Sequence, residues 1–433
     1  MNVGLIGIGT VGGGTYKVLT HNFEEIFNKT GIEIKITHVA DKNISLAERT
    51  VNKSVVIMND AFELIADSEV DTVVELIGGI GVAKDLVKNA LSNGKHVVTA
   101  NKALIAMHGD ELFQIAEKNN VVLAYEAAVA GGIPIIKVLR EGLAGNKIEL
   151  IAGIVNGTTN YILSEMKDNN LHFDVALKQA QDLGFAEADP TFDIEGIDAA
   201  HKITIMASIA FGIPINFNAV FVEGISNLDQ KDISYAEELG YRIKLLALAK
   251  LNKNGVEVRV HPTLVPESNL VANISGPMNA VLVNGNMVGP TLYYGAGAGS
   301  EPTASAVVAD IIDIARQSQV TPKLLIPSLG FIKEQIKAKK LLAIEDISSK
   351  FYLRLTMTNK VGLKEKITNT FASHNISIDA MVHKEVQDTN QNPDIFLVIS
   401  ETQEFIINKI IKEIESFPEN NDEIIKLRIE ELA

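Results

Sequence analysis

The chain has 433 residues and no cysteine. It therefore has no disulfide frame, no thiolate metal site and no thiol nucleophile, which excludes aldehyde oxidation through a thioester. Positive charge is also scarce, with 39 Lys and Arg against 54 Asp and Glu and a formal net charge of −15. Nucleic acids and anionic membrane surfaces call for clustered basic residues, so small molecules remain the expected partners. Long apolar runs are missing too. The best candidate, ITIMASIAFGIPI at 203–215, is short and broken by Ser208, Gly212 and Pro214, too little to span a bilayer. The start, MNVGLIGIGT, lacks the basic opening of a signal peptide and reads as a first strand, so the protein is expected in the cytoplasm. Hydrophobic residues at 46% and charged residues at 21% describe an ordinary globular chain. Its length suggests about two or three domains.

Glycine is where the chemistry begins. The apolar run NVGLIGI leads into Gly7, Gly9 and Gly12, spaced G-x-G-x-x-G ahead of a helical pattern. In that context Gly7 allows a tight turn, Gly9 lets the backbone approach a pyrophosphate, and Gly12 allows close helix packing. The alternative is a glycine-rich turn with no ligand. IEIKITHVA, ending at Asp41 and Lys42, reads as a second strand, and VDTVVELIGG, GKHVVTAN and VVLAYEA as three more, separated by helical patterns. Such alternation predicts an α/β fold with a Rossmann-like, doubly wound parallel sheet and a ligand over the carboxyl ends of its strands.

Two strand ends carry polar residues. TANKAL puts Asn101 and Lys102 at the ligand-binding rim, where Lys102 is either a site residue or a surface charge. YEAAVAGGIPII puts Glu126 ahead of a loop of small residues, either as a cap or hinge or as a cation ligand together with loop carbonyls. From about Ile148 the pattern turns β-rich and then enters a helix near Thr158 or Thr159. Asn156, Thr158 and Thr159 can cap that helix or donate to a ligand. A helix is then expected around YAEELGYRIKLLALAK, and strands at GVEVRVHPTLV and MNAVLVNGNMVGPTLYY. GAGAGSEPTASAVVADIIDIARQ follows as a glycine loop feeding a helix, a candidate anion cradle or the hinge that returns the chain to its first domain.

The run GFAEADPTFDIEGIDAAHK at 184–202 sets Glu187, Asp189, Asp193, Glu195 and Asp198 ahead of one lysine. A core cannot absorb so many carboxylates. Asp198 and Lys202, four apart, share one face of a helix and pair. A held ammonium of that kind can place charge or a proton against a developing alkoxide, while Glu187 grips a substrate amino group. The bland alternative is a solvated acidic loop. No two of the nine histidines have metal-ligand spacing.

Together these motifs resemble homoserine dehydrogenase: GIGTVG at 7–12, TANKAL at 99–104, EAAVAGGIPII at 126–136, NGTTNYIL at 156–163, the acidic run, and GAGAGSEPTASAV at 295–307. The family reduces L-aspartate 4-semialdehyde to L-homoserine with NADPH or NADH. The resemblance implies Lys202 as the catalytic lysine, Asp198 as its partner at the substrate, and Lys102 between cofactor and substrate. It implies Glu187, Asp193, Asp198 and Thr158 around the substrate, and Gly7, Gly9, Thr10, Val11, Gly12, Asp41, Lys42, Lys102, Gly184 and Gly299 around NADP or NAD. It also implies a sodium ion at the loop of Glu126, Val129, Gly131 and Ile133. The family's usual arginine after the second strand is absent from HVADKN, which leaves Asp41 and Lys42 to read the ribose and predicts use of both cofactors.

The tail from about residue 350 spells β-α-β-β-α-β, a separate ferredoxin-like unit that resembles the ACT-type regulatory domain of this family. In the family such a unit often senses L-threonine. Here Val361 replaces the usual proline before Gly362, and a dimerisation module without ligand stays open as the other reading. The expected layout is a dinucleotide-binding domain over 1–130 and 300–325, an α+β substrate and dimerisation domain over 131–299, a linker over 326–349, and the tail over 350–433. A monofunctional homodimer or homotetramer is expected, with no kinase segment in the chain. A non-catalytic dinucleotide-binding sensor is the second hypothesis, disfavoured because a sensor needs no Lys102, Glu187, Asp198 and Lys202 together.

Overall fold

A computed structural model describes residues 1–319, 326–358, 360–384 and 393–432. Its first sheet holds β1 (Asn2–Ile6), β2 (Lys35–Ala40), β3 (Val56–Met58), β4 (Thr72–Glu75), β5 (His96–Thr99) and β6 (Leu123–Ala124). They lie parallel in the order β3-β2-β1-β4-β5-β6. Each predicted strand of this domain is present, and β3 is an addition. At three residues, β3 was too short for its periodicity to register. The order reverses between β1 and β4, the crevice where ligands bind in open α/β sheets.

The second sheet contains β7 (Ile148–Ile154), β8 (Phe221–Val222), β9 (Tyr241–Asn252), β10 (Gly255–Pro266), β11 (Met278–Gly285) and β12 (Gly289–Ala296). The tail adds β13 (Ser348–Thr356), β14 (Ile378–Lys384), β15 (Asp394–Gln403) and β16 (Ile425–Ile429). The order is β12-β11-β7-β9-β10-β16-β13-β15-β14, with β8 on β10.

Two expectations are corrected here. GYRIKLLALAK is not helical: the helix is Gln230–Glu238, Gly240 turns the chain at φ 80°, and the rest is β9, paired antiparallel with β10 along its whole length. Residues 243–249 are buried without interruption, so the segment carries no period-2 signature that would tell it from a buried helix. The tail, in turn, is not a separate sheet. It has the β-α-β-β-α-β order, with helices Leu363–Ser373 and Glu404–Glu415, and its own core around Phe351, Leu353, Phe371 and Ile410. Yet β16 runs parallel to β10, with Thr263 opposite Arg428 and Leu264 opposite Ile429, so one sheet passes through both units. Glu385, at the end of the predicted strand, and residues 320–325 of the returning segment lie outside the described residues.

Buried charge fastens this junction. Asp232 receives Arg354 Nε at 2.7 Å and Nη2 at 2.9 Å, and the Tyr352 hydroxyl at 3.1 Å. Arg428 is shared by Glu404 and Glu223.

Candidate active site

The glycine turn is built as its spacing demands. Gly7 has φ 96°, and a methyl there would press on Leu76 and Ile77 across the switch point. A methyl on Gly12 would overlap the Gly7 carbonyl oxygen, so the helix Thr10–His21 can lie this close only on glycine. Around Gly9 there is open space. An unobstructed backbone at a helix N-terminus suits a pyrophosphate. Asp41 stands at this turn with its carboxylate already engaged: Oδ2 accepts from the Ile8 amide at 2.7 Å and Oδ1 from the Asn43 amide at 2.7 Å. Lys42 is exposed. The returning helix Ser300–Gln317, capped by Gly299 at φ 125°, docks on the first helix through Ser300 Oγ to the Thr10 carbonyl (3.0 Å) and Lys17 to Glu301 (2.6 Å). Thr10 and Val11 thus sit between the turn and the returning helix, while Gly184 lies exposed on the acidic loop.

At the rim Asn101 caps the helix Lys102–Lys118, accepting from the Leu104 amide at 3.0 Å and fixing where Lys102 starts. Lys102 Nζ meets Asp198 Oδ1 at 2.8 Å. Asp198 Oδ2 takes Lys202 Nζ at 2.6 Å, and that ammonium also donates to the Val155 carbonyl at 2.6 Å. The i,i+4 pairing on helix Ile197–Phe211 is present, and the fold adds Lys102 from another domain to the same carboxylate. Asp193 completes the group, accepting from Thr158 Oγ1 at 3.1 Å. Glu187 is exposed nearby, and its charge reaches Lys102 through space.

Asn156, expected as a cap or a donor to a ligand, has a further part in the cluster. It does cap helix Gly157–Asp168, with its Oδ1 accepting from the Thr159 amide at 2.9 Å. Its Nδ2 also bridges Asp193 Oδ1 at 2.7 Å and Asp198 Oδ2 at 2.9 Å, a donor between two like charges. Phe192 was missed by the sequence reading, with Lys102 Nζ 5.5 Å from its ring centroid. Phe192 lies inside the acidic run, but its ring has no donor or titratable group to mark it.

Burial alone would raise the pKa of Asp198, but Lys202 and Lys102 overcome it and hold the carboxyl well below its usual range. Burial lowers Lys202 despite Asp198. Lys102 goes the other way, since the charge and hydrogen bond of Asp198 outweigh its desolvation. The outcome is one firmly anionic carboxylate between two unequal ammoniums. Burial, then the repulsion of Asp198, raises Asp193.

His201 stacks between Phe192 and Phe217, with ring centroids at 5.5 and 4.2 Å. Burial chiefly, with the lysines helping against Asp198, brings it from 6.5 down to about 4. A depressed folded pKa means that the unfolded chain binds the extra proton first, so stability is lost as pH falls from about 6.5 towards about 4. The His201→Phe variant is expected to lose less stability than wild type across that window in urea unfolding. Parallel curves for the two proteins would remove the histidine from the acid response.

Glu126 is buried at the start of its loop. Its carboxylate accepts from the amides of Ile136 and Lys137, both at 2.9 Å, and its own amide donates to Asp310 at 2.8 Å. Burial and Asp310 push Glu126 up to about 7, and burial pushes Asp310 to about 6 despite Lys137 at 3.7 Å. Gly131 at φ 51° lets the loop of Val129 and Ile133 press against Gly297, where a methyl would clash with the Gly297 carbonyl.

Comparison with known proteins joins these pieces. The family model described as homoserine dehydrogenase, NAD binding domain, matches residues 7–126, and that described as homoserine dehydrogenase matches 134–312. The homoserine dehydrogenases of Neisseria gonorrhoeae and Pseudomonas aeruginosa are 52% and 47% identical, each over 100% of this chain and 99% of the relative. The crystal structure of a homoserine dehydrogenase from Thiobacillus denitrificans superposes with a TM-score of 0.95 at 52% identity, over 100% of this chain and 99% of that one. A hyperthermophilic archaeal homoserine dehydrogenase solved with NADPH gives 0.61 at 28% identity, over 72% of this chain and 97% of that one. With a dinucleotide fold and a lysine–aspartate cluster at its rim, and likeness along its whole length, the chain belongs to the homoserine dehydrogenase family and is an NAD(P)-dependent oxidoreductase.

Proposed function

We propose that Lys202, Asp198 and Lys102 carry the reduction of L-aspartate 4-semialdehyde to L-homoserine. The observation behind this is the bridging of both lysines by Asp198, at 2.6 and 2.8 Å. A reduced nicotinamide, when bound, supplies the hydride. Lys202 and Lys102 offset the charge that gathers on the substrate's carbonyl oxygen, and Lys202, or a water that it orders, delivers the proton there. Its lowered pKa makes that proton easier to give. Glu187, Asp193, Asp198 and Thr158 hold the amino-acid end of the substrate and so set the aldehyde at transfer distance. The test is oxidation of NADPH and of NADH by the chain with aspartate semialdehyde; no turnover with either reductant would sink the assignment.

The cofactor set is Gly7, Gly9, Thr10, Val11, Gly12, Asp41, Lys42, Lys102, Gly184 and Gly299. With Asp41 bracing two amides and no arginine fork beside it, kcat/KM for the two reductants should differ by only about tenfold to a hundredfold.

Glu187→Gln is expected to raise KM for the semialdehyde while leaving the dissociation constant of NADPH in place. The side chain is exposed at the mouth of the cluster, so the substitution should not disturb folding. An unchanged KM removes Glu187 from the substrate site.

The sodium ion belongs to the loop of Glu126, Val129, Gly131 and Ile133. Since the Glu126 carboxylate is taken by amides, main-chain carbonyls would be its ligands, and a cation beside the buried carboxyls of Glu126 and Asp310 would favour their charged forms. The domain limits are 1–130 with 300–325, 131–299, 326–349 and 350–433, the last as an ACT-type regulatory unit for L-threonine in a homodimer or homotetramer. Its ferredoxin-like strand order supports that reading. Among the described residues no helix is long and apolar enough to cross a membrane, and a cytoplasmic location accords with this.

A further inference from the structure

Away from the lysine cluster, a cavity of about 110 Å³ lies between helix Gly157–Asp168, which Asn156 caps, and helix Gln230–Glu238, which the tail grips through Asp232. That is roughly the volume of three to four waters at ~30 Å³ each. Its wall includes Ser164, Lys167, Glu237, Arg242, Lys244 and Ser275. Most of these charges are matched. Arg242 pairs with Glu237 and Glu267, and Lys167 with Asp168.

Lys244 is the exception. It is only 4% exposed, and its hydrogen-bond partners among the described residues are neutral oxygens. Its ammonium donates to the Ile274 carbonyl at 2.5 Å and to Asn160 Oδ1 at 3.2 Å, which leaves one of its three N–H groups without an acceptor among the described residues. A buried charge is costly unless it is paired. We propose that the cavity is a binding site for a compact oxyanion, a carboxylate or phosphate group, seated on Lys244 with the Ser275 hydroxyl beside it.

The electrostatics agree with that geometry. Burial first, and then Lys167 and Arg242 against Asp168, bring Lys244 from 10.5 down to about 8, and an anion would restore it. The position matters for function. Asn160, whose Oδ1 accepts the hydrogen bond from Lys244, lies one turn along the helix capped by Asn156, so occupancy would stiffen the junction between the active-site helix and the helix held by the tail.

The test is thermal unfolding of the full chain, saturated with NADP, in phosphate, acetate and chloride at equal ionic strength, for wild type and Lys244→Met. Wild type is expected to gain Tm in phosphate, in acetate or in both relative to chloride, and Lys244→Met to lose that gain. A gain in phosphate alone identifies a phosphate site, and one in acetate alone a carboxylate site. No gain in wild type, or the same gain in both proteins, overturns the proposal. A second measurement needs no variant. Acetic anhydride labelling of wild type at pH 7, followed by mass spectrometry, should show Lys244 reacting about tenfold more slowly for each pKa unit that the anion restores. Equal labelling with and without phosphate and acetate counts against the site.

Discussion

Lys202→Ala is expected to lower kcat by about 10²- to 10³-fold, on the order of 3 kcal/mol or more in the barrier, while the affinity for NADPH stays near that of wild type. The geometry separates the two effects. Lys202 Nζ touches Asp198 and the Val155 carbonyl, whereas the glycine turn belongs to β1 and the helix after it. Removal of the ammonium also leaves no stranded charge, because Asp198 keeps Lys102 at 2.8 Å and Asn156 at 2.9 Å. The protein should therefore fold, and the loss should appear in single-turnover reduction. Retention of near wild-type kcat would mean that Lys102 alone offsets the developing alkoxide.

A stability loss of comparable size is expected from Asp232→Ala, about 3–5 kcal/mol in urea unfolding. Asp232 is fully buried and accepts both guanidinium nitrogens of Arg354 together with the Tyr352 hydroxyl. Alanine leaves a buried cation and a phenol without acceptors, between the substrate domain and the tail. A well-packed double variant, Asp232→Leu with Arg354→Met, should recover much of that loss, since most of it comes from the stranded charge and not from the pair itself. If the single variant unfolds within about 1 kcal/mol of wild type, the pair does not hold the tail in place.

The amino-acid sequence by itself determined the features that depend on local geometry. Gly7, Gly9 and Gly12 announced a turn that only glycine can make, because the constraint lies within six residues, and the structure places the Gly7 carbonyl where any Cβ at Gly12 would strike it. The pairing of Asp198 with Lys202 was equally legible, since a helix fixes the i,i+4 neighbour. Tertiary structure alone decided what depends on distant segments meeting. Lys102 lies 96 positions before Asp198, and nothing in TANKAL says that its ammonium will share that carboxylate. Asn156 became a bridge between Asp193 and Asp198 only when two helix starts came together. β9 was read as helix because both of its faces are buried, which erases the alternation that marks a half-exposed strand. The tail joined the substrate domain's sheet through β10 and β16, whose edges are far apart in the chain. Edge pairing is a matter of backbone hydrogen bonds, which every residue type but proline can make, so side-chain identity carried no trace of it.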